Sequence, residues 1–156
     1  MTNGQPAYDS RLETTAHIAR VRELMLCVIE GLAARAAKHD KSKLESPEKE
    51  SFDKFTPILK SLTYGSKEYQ QVLAEMQVAL VHHYGENSHH PEHLANGVDG
   101  MTLLDLIEML CDWKAATERH ANGSIKKSLV VNKERFALSD QLVSILENTC
   151  VELGIG

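Results

Sequence analysis

Any fold of this chain has to accommodate the segment VHHYGENSHHPEH. In it five of the eight histidines (His82, His83, His89, His90 and His93) fall within twelve residues. Each imidazole has two ring nitrogens that need partners when buried, and crowded imidazoles repel one another when protonated. A shared metal ion removes both difficulties, because neutral imidazole is the commonest side-chain ligand of transition metals. His39-Asp40 upstream and acidic residues downstream complete a mixed nitrogen and oxygen donor set. The pattern predicts a metal centre.

The rest of the chain reads as helix. From about residue 10 to 38, Leu12, Ala16, Val21, Leu24, Met25, Val28, Ile29 and Leu32 recur at three- and four-residue steps, with Ser10 and Glu13 spaced as a capping box. Gly31 is the one breaker in that stretch. Ser46-Pro47-Glu48 has the composition of a cap and first turn leading towards Phe55, and Ser66 of a cap for a helix over 67–83. Residues 84–100, rich in Gly, Asn and Pro, predict mostly loop, and a loop of that length is usually functional. Thr102 can cap a strong helix ending at Asn122-Gly123, and Ser139 or Asp140 one over DQLVSILENTCVELG.

The expected fold class is all-α. Residues 1–9 form a flexible tail and 10–156 a single domain, long enough to build a core without disulfide or zinc staples. The net charge of −5 works against a general phosphate-backbone binder, and no apolar run reaches the roughly eighteen residues of a membrane span. The first fifteen residues contain no apolar signal core. Cys27, Cys111 and Cys150 are odd in number and form no CxxC, which suits reduced thiols in a cytoplasm and speaks against a zinc ribbon.

His39-Asp40 extends to H-D-x-x-K, so Lys43 would lie one turn beyond the ligands, placed to neutralise a bound phosphate. His83 shares the face of Tyr69, Met76, Ala79 and Leu80, which makes it a better ligand than His82. Pro91 holds His90 extended and so fixes its direction. His82, His89 and His93 are left as candidates for supporting or substrate contacts. Asp105, Glu108 and Asp112 share one helical face that a cation would relieve of like-charge repulsion, and Asp105 suits a structural cap better than Asp112 does. His17 lies on an apolar face. It reaches the same ion only if the chain turns back at Gly31, since a straight helix would put it about 33 Å from His39.

The order His, His-Asp, later Asp resembles the HD-domain superfamily of metal-dependent phosphohydrolases, with His17, His39, Asp40 and Asp112 at the four signature positions. The segments HDKSKLESPE, HHYGENSHHPEH and LLDLIEMLCDWKAA also resemble the uncharacterised family DUF5662, found in phages and bacteria. The resemblance implies a single-domain helical bundle of the HD type with a central metal site, and His83 and His90 at a second ion or at the substrate.

The function expected is hydrolysis of a phosphate ester, most naturally a nucleotide, by water activated on one or two divalent ions (Mn, Fe, Co, Ni or Zn). Lys43 would stabilise phosphoryl charge, and Glu92 or Glu108 would orient the water. The setting implied is the cytoplasm, of the host if the gene is phage-borne, with no general nucleic-acid or membrane partner and with the last helix available for a homodimer. Two other classes fit the same residues: a non-catalytic phage factor that binds a nucleotide or host protein, and a di-iron enzyme of oxygen chemistry.

Overall fold

The computed structural model describes residues 8–63, 66–119 and 123–156. Among these, every regular element is helical: α1 (Arg11–Ala36), α2 (Glu48–Ser61), α3 (Lys67–Glu75), α4 (Gln77–Glu86), α5 (Leu103–Thr117), α6 (Ile125–Phe136) and α7 (Asp140–Glu152), with short 3-10 turns at Lys41–Leu44, Pro91–His93 and Gly97–Gly100. The chain divides into two compact units, Met1–Ala37 and Lys38–Gly156. No helix among the described residues is long and apolar enough to cross a membrane.

The first unit is essentially α1. It runs unbroken through Gly31, because one glycine costs a helix only about 1 kcal/mol and the residues around it are good helix formers. Ser10 stands at its N-cap but makes no side-chain cap bond, so the expected capping box does not form.

In the second unit α5, α6 and α7 supply the apolar core. Leu110, Ile125, Leu129, Leu138, Leu146 and Cys150 are buried there, with Trp113 stacked on Phe136 at 6.0 Å between ring centroids. Three of these helices' starts follow the same rule, a hydroxyl side chain accepting an orphan backbone N–H. Thr102 Oγ1 accepts from Asp105 N and Asp105 returns a bond to the Thr102 N–H, a capping box; Ser124 and Ser139 cap α6 and α7. Asp105 is thus a structural cap residue. Gly123 precedes α6, whereas Asn122, expected with it at the end of α5, lies outside the described residues, as do Tyr64 and Gly65.

The helix expected over 67–83 is two helices. Ser66 caps α3 as expected, but the backbone departs from helix at Met76 (φ −85°, ψ 2°), and α4 continues to Glu86. No glycine or proline marks that joint; Met76 is only 1% exposed, so packing sets the bend. α2 packs against α4 and against the 41–44 turn, which places the His39-Asp40 segment beside the histidines of α4.

Candidate metal centre

His39-Asp40 is not on a helix. α1 ends at Ala36, the chain turns through 37–40, and Asp40 adopts left-handed backbone (φ 56°, ψ 14°) as the residue before the Lys41–Leu44 turn. Aspartate is among the few residues that tolerate this region. The turn brings Lys43 Nζ to 2.6 Å from Asp40 Oδ2, with the ammonium 5.2 Å above the Phe52 ring. Lys43 therefore lies beside the site, as its spacing predicts.

α4 ends at Asn87, whose side-chain amide donates to Ser42 Oγ (2.9 Å) and to the carbonyl of His83 (2.8 Å). His90 is extended (φ −92°, ψ 127°) ahead of Pro91. The turn between them puts the rings of His89 and His90 on one side, centroids 4.3 Å apart. His83 Nε2 lies 2.9 Å from His90 Nε2. Asp40 Oδ1 lies 3.4 Å from His83 Nε2 and 3.6 Å from His89 Nε2. On the other side of the same carboxylate, Oδ2 is 3.5 Å from His39 Nε2, itself 3.8 Å from Asp112 Oδ1. Two donor sets result, Asp40/His83/His89/His90 and His39/Asp40/Asp112, each with ligand atoms within 4.8 Å of one another and with Asp40 common to both.

Carboxylates behind the rings set their orientation. Glu108 Oε1 is hydrogen-bonded to His39 Nδ1 at 2.9 Å and stands 3.2 Å from His89 Nδ1. Glu48, with no exposed surface, meets His82 Nδ1 at 2.8 Å and His83 Nδ1 at 2.9 Å. An ionised carboxylate only accepts, so these contacts put a proton on Nδ1 of each ring, and in the neutral rings of His83 and His89 they leave Nε2 as a lone pair towards Asp40. Burial pushes the pKa values of His83, His89 and His90 down, His90 to about 3, so these rings are neutral as metal ligands must be. His39 is raised to about 9, by Asp112 first and then by Glu108 and Asp40, against the effect of burial. At 3.8 Å the His39–Asp112 contact is an ion pair rather than a hydrogen bond. Burial alone would raise Asp112; His39, with Lys43, His90 and His89, holds it down at about 2.

Among the described residues, the buried side-chain nitrogen and oxygen atoms without a hydrogen-bond partner are Asp40 Oδ1 and His89 Nε2. Both belong to one donor set. Two donors each about 2.1 Å from one ion stand roughly 3.0–3.4 Å apart, close to the spacings found. A cation satisfies several converging lone pairs at once.

Residues 7–152 match a family described as one of unknown function, DUF5662. The chain belongs to DUF5662. No curated protein and no solved structure matches it.

Of the residues that sequence reasoning placed at the centre, this DUF5662 chain brings together His39, Asp40, His83, His90 and Asp112, with Lys43 and Glu108 beside them. Two expectations are corrected. The turn at Gly31 on which the place of His17 at the ion depends does not form, because α1 runs unbroken from Arg11 to Ala36. Glu92 pairs instead with Arg135, from which it accepts a bond at 2.7 Å. His89 moves the other way, from a supporting role to one of the most buried members, 2% exposed. His82 binds Glu48, and His93 Nδ1 bonds the Tyr84 carbonyl. Glu48 was missed altogether; its place at the start of α2 reads in sequence as an ordinary acidic first turn.

Proposed function

We propose that this protein is a metal-dependent hydrolase of phosphate esters, with a nucleotide or similar small molecule as substrate. The observation that carries the reading is the convergence of Asp40 Oδ1, His83 Nε2, His89 Nε2 and His90 Nε2 on one point, with two of the four lacking any other partner. One or two divalent ions of the Mn, Fe, Co, Ni or Zn kind suit such donors, with His39, Asp40 Oδ2 and Asp112 as the second set. When bound, such an ion lowers the pKa of its water towards neutrality and polarises a phosphoryl oxygen.

The chain's own groups supply the rest. Glu108 holds the His39 and His89 rings by Nδ1 through its Oε1, and orienting the water would fall to its other oxygen. Lys43 holds the negative charge of Asp40 Oδ2 and, released from it, is within reach of phosphoryl oxygens on the same site. A polar cleft of about 410 Å³, lined by Lys41, Ser42, Glu45, Ser46, His82 and Glu86, lies beside Ser42, whose hydroxyl stands 3.3 Å from His83 Nδ1. The HD-type likeness rests on His39, Asp40 and Asp112, because the His17 position of that signature is not met. The decisive test is a screen of metal-loaded protein against nucleotides and generic phosphate esters. Phosphate release that disappears in Asp40→Ala supports the reading; hydrolysis retained by metal-free Asp40→Ala protein refutes it.

A further inference from the structure

We propose that Glu48 is the positioning residue of the metal centre, acting through His83: its carboxylate fixes the His83 ring with Nδ1 protonated and Nε2 directed at Asp40 and His90. The inference rests on the metal centre proposed above, not on the reaction assigned to it.

Glu48 is 0% exposed, and a buried carboxylate must be met by donors. Its Oε1 faces His82 Nδ1 at 2.8 Å and its Oε2 faces His83 Nδ1 at 2.9 Å. These two histidines are adjacent on α4 and point about 100° apart, so one carboxylate in the wedge between them reaches both. The position at the first turn of α2 adds the favourable end of that helix's dipole.

Two other groups approach His83 Nδ1, Ser42 Oγ at 3.3 Å and Asn87 Nδ2 at 3.1 Å, and if the ring nitrogen accepted from them the tautomer would reverse. Hydrogen counting removes Asn87, and distance decides against Ser42: the Glu48 oxygen is closer, at 2.9 Å, and an accepting Nδ1 would leave two acceptors facing each other there. The Asn87 amide has two hydrogens, and both have shorter partners in Ser42 Oγ at 2.9 Å and the His83 carbonyl at 2.8 Å. His83 Nδ1 is thus the donor and Glu48 the acceptor. His83 Nε2 is then a lone pair, 3.4 Å from Asp40 Oδ1, and His90 Nε2–H donates to it at 2.9 Å until an ion takes its place. A carboxylate behind a ligating histidine fixes ring orientation and raises ligand basicity, and its loss typically weakens metal binding 10–100-fold.

Two measurements test this. In metal-free wild-type protein, nitrogen-15 NMR of the histidine rings should show His83 as the Nδ1–H tautomer; an Nε2–H tautomer would overturn the proposal without any variant. The second measurement is cobalt and zinc titration of Glu48→Gln beside wild type and Asp53→Ala, an exposed position on the same helix. Glutamine can accept from one histidine only and turns an N–H towards the other. We expect affinity to fall by about 10–100-fold with a changed cobalt absorption spectrum, while Asp53→Ala stays within about threefold of wild type. Affinity and spectrum unchanged in Glu48→Gln, or no cobalt or zinc taken up by wild type, would overturn the assignment. Tight metal binding lost in Glu48→Gln, with no phosphate ester turned over by wild type, would sustain Glu48 and remove the hydrolase reading alone.

Discussion

Replacing Asp40 by asparagine should make the metal-free protein more stable and the metal-loaded protein less so. In the absence of a cation, Asp40 Oδ1 is an acceptor facing other acceptors, His83 Nε2 at 3.4 Å and His89 Nε2 at 3.6 Å. Oδ1 and His89 Nε2 are both buried without a hydrogen-bond partner. Each such group costs about 1–3 kcal/mol. An asparagine Nδ2 in place of Oδ1 donates to one of these rings, and asparagine tolerates the left-handed backbone of φ 56° as aspartate does. Against this stands the weakened Lys43 pair, which is half-buried and worth about 1 kcal/mol. The net gain is about 1–2 kcal/mol, or roughly 2–8 °C in Tm for a chain of this size.

Metal reverses the order. Saturation at a hundredfold excess over Kd adds about 2.7 kcal/mol to the wild type, and Asp40→Asn, lacking the charged donor common to both sets, should lose most of that shift. The assay is thermal unfolding of both proteins in chelator and in excess zinc or manganese. An Asp40→Asn protein less stable than wild type in chelator, or one with an undiminished metal shift, would refute the argument that the site is strained for want of a cation.

Further outcomes follow from other parts of the structure. His39, raised from 6.5 to about 9 chiefly by Asp112, must release its proton before Nε2 can ligate. Affinity at the His39/Asp40/Asp112 set should therefore rise about tenfold per pH unit from 7 to 9 and then level, read by calorimetric titration; a flat profile contradicts it. The same raised pKa stabilises the metal-free fold fully below pH 6.5, and that contribution is lost as pH climbs through about 9. His89→Ala should abolish metal uptake at the Asp40/His83/His89/His90 set, whereas His93→Ala, which removes only a bond to the Tyr84 carbonyl, should leave stoichiometry unchanged by elemental analysis. Thr102→Ala removes the hydroxyl of the α5 capping box and should cost about 1 kcal/mol in denaturant unfolding with metal content intact.

Much of this was legible in the sequence, for identifiable reasons. Helical periodicity and hydroxyl caps at Ser66, Thr102 and Ser139 act locally, and those caps form where their spacing puts them. Pro91 constrains His90 through its own ring, and Lys43 is tied to Asp40 across three residues; both effects are short in range. The parts that eluded sequence reasoning depend on partners distant along the chain. Gly31 is compatible with either a turn or a continuing helix, and with a cost near 1 kcal/mol its composition does not decide which. His89 gains its position from Asp40, 49 residues upstream by numbering, and from Glu108, and no pattern around HHPEH announces that. Glu48 meets His82 and His83 from another helix, so its role is invisible until α2 and α4 pack. The bend at Met76 has no local signal at all.

The proposed metal centre holds one ion among Asp40, His83, His89 and His90. Anomalous diffraction from crystals of the protein loaded with zinc or cobalt, recorded at the metal's absorption edge, tests it most directly. A peak is expected within about 2.3 Å of Asp40 Oδ1 and of the Nε2 atoms of His83, His89 and His90. A peak bound elsewhere with this cluster empty, or no peak from protein soaked in excess metal, would contradict it.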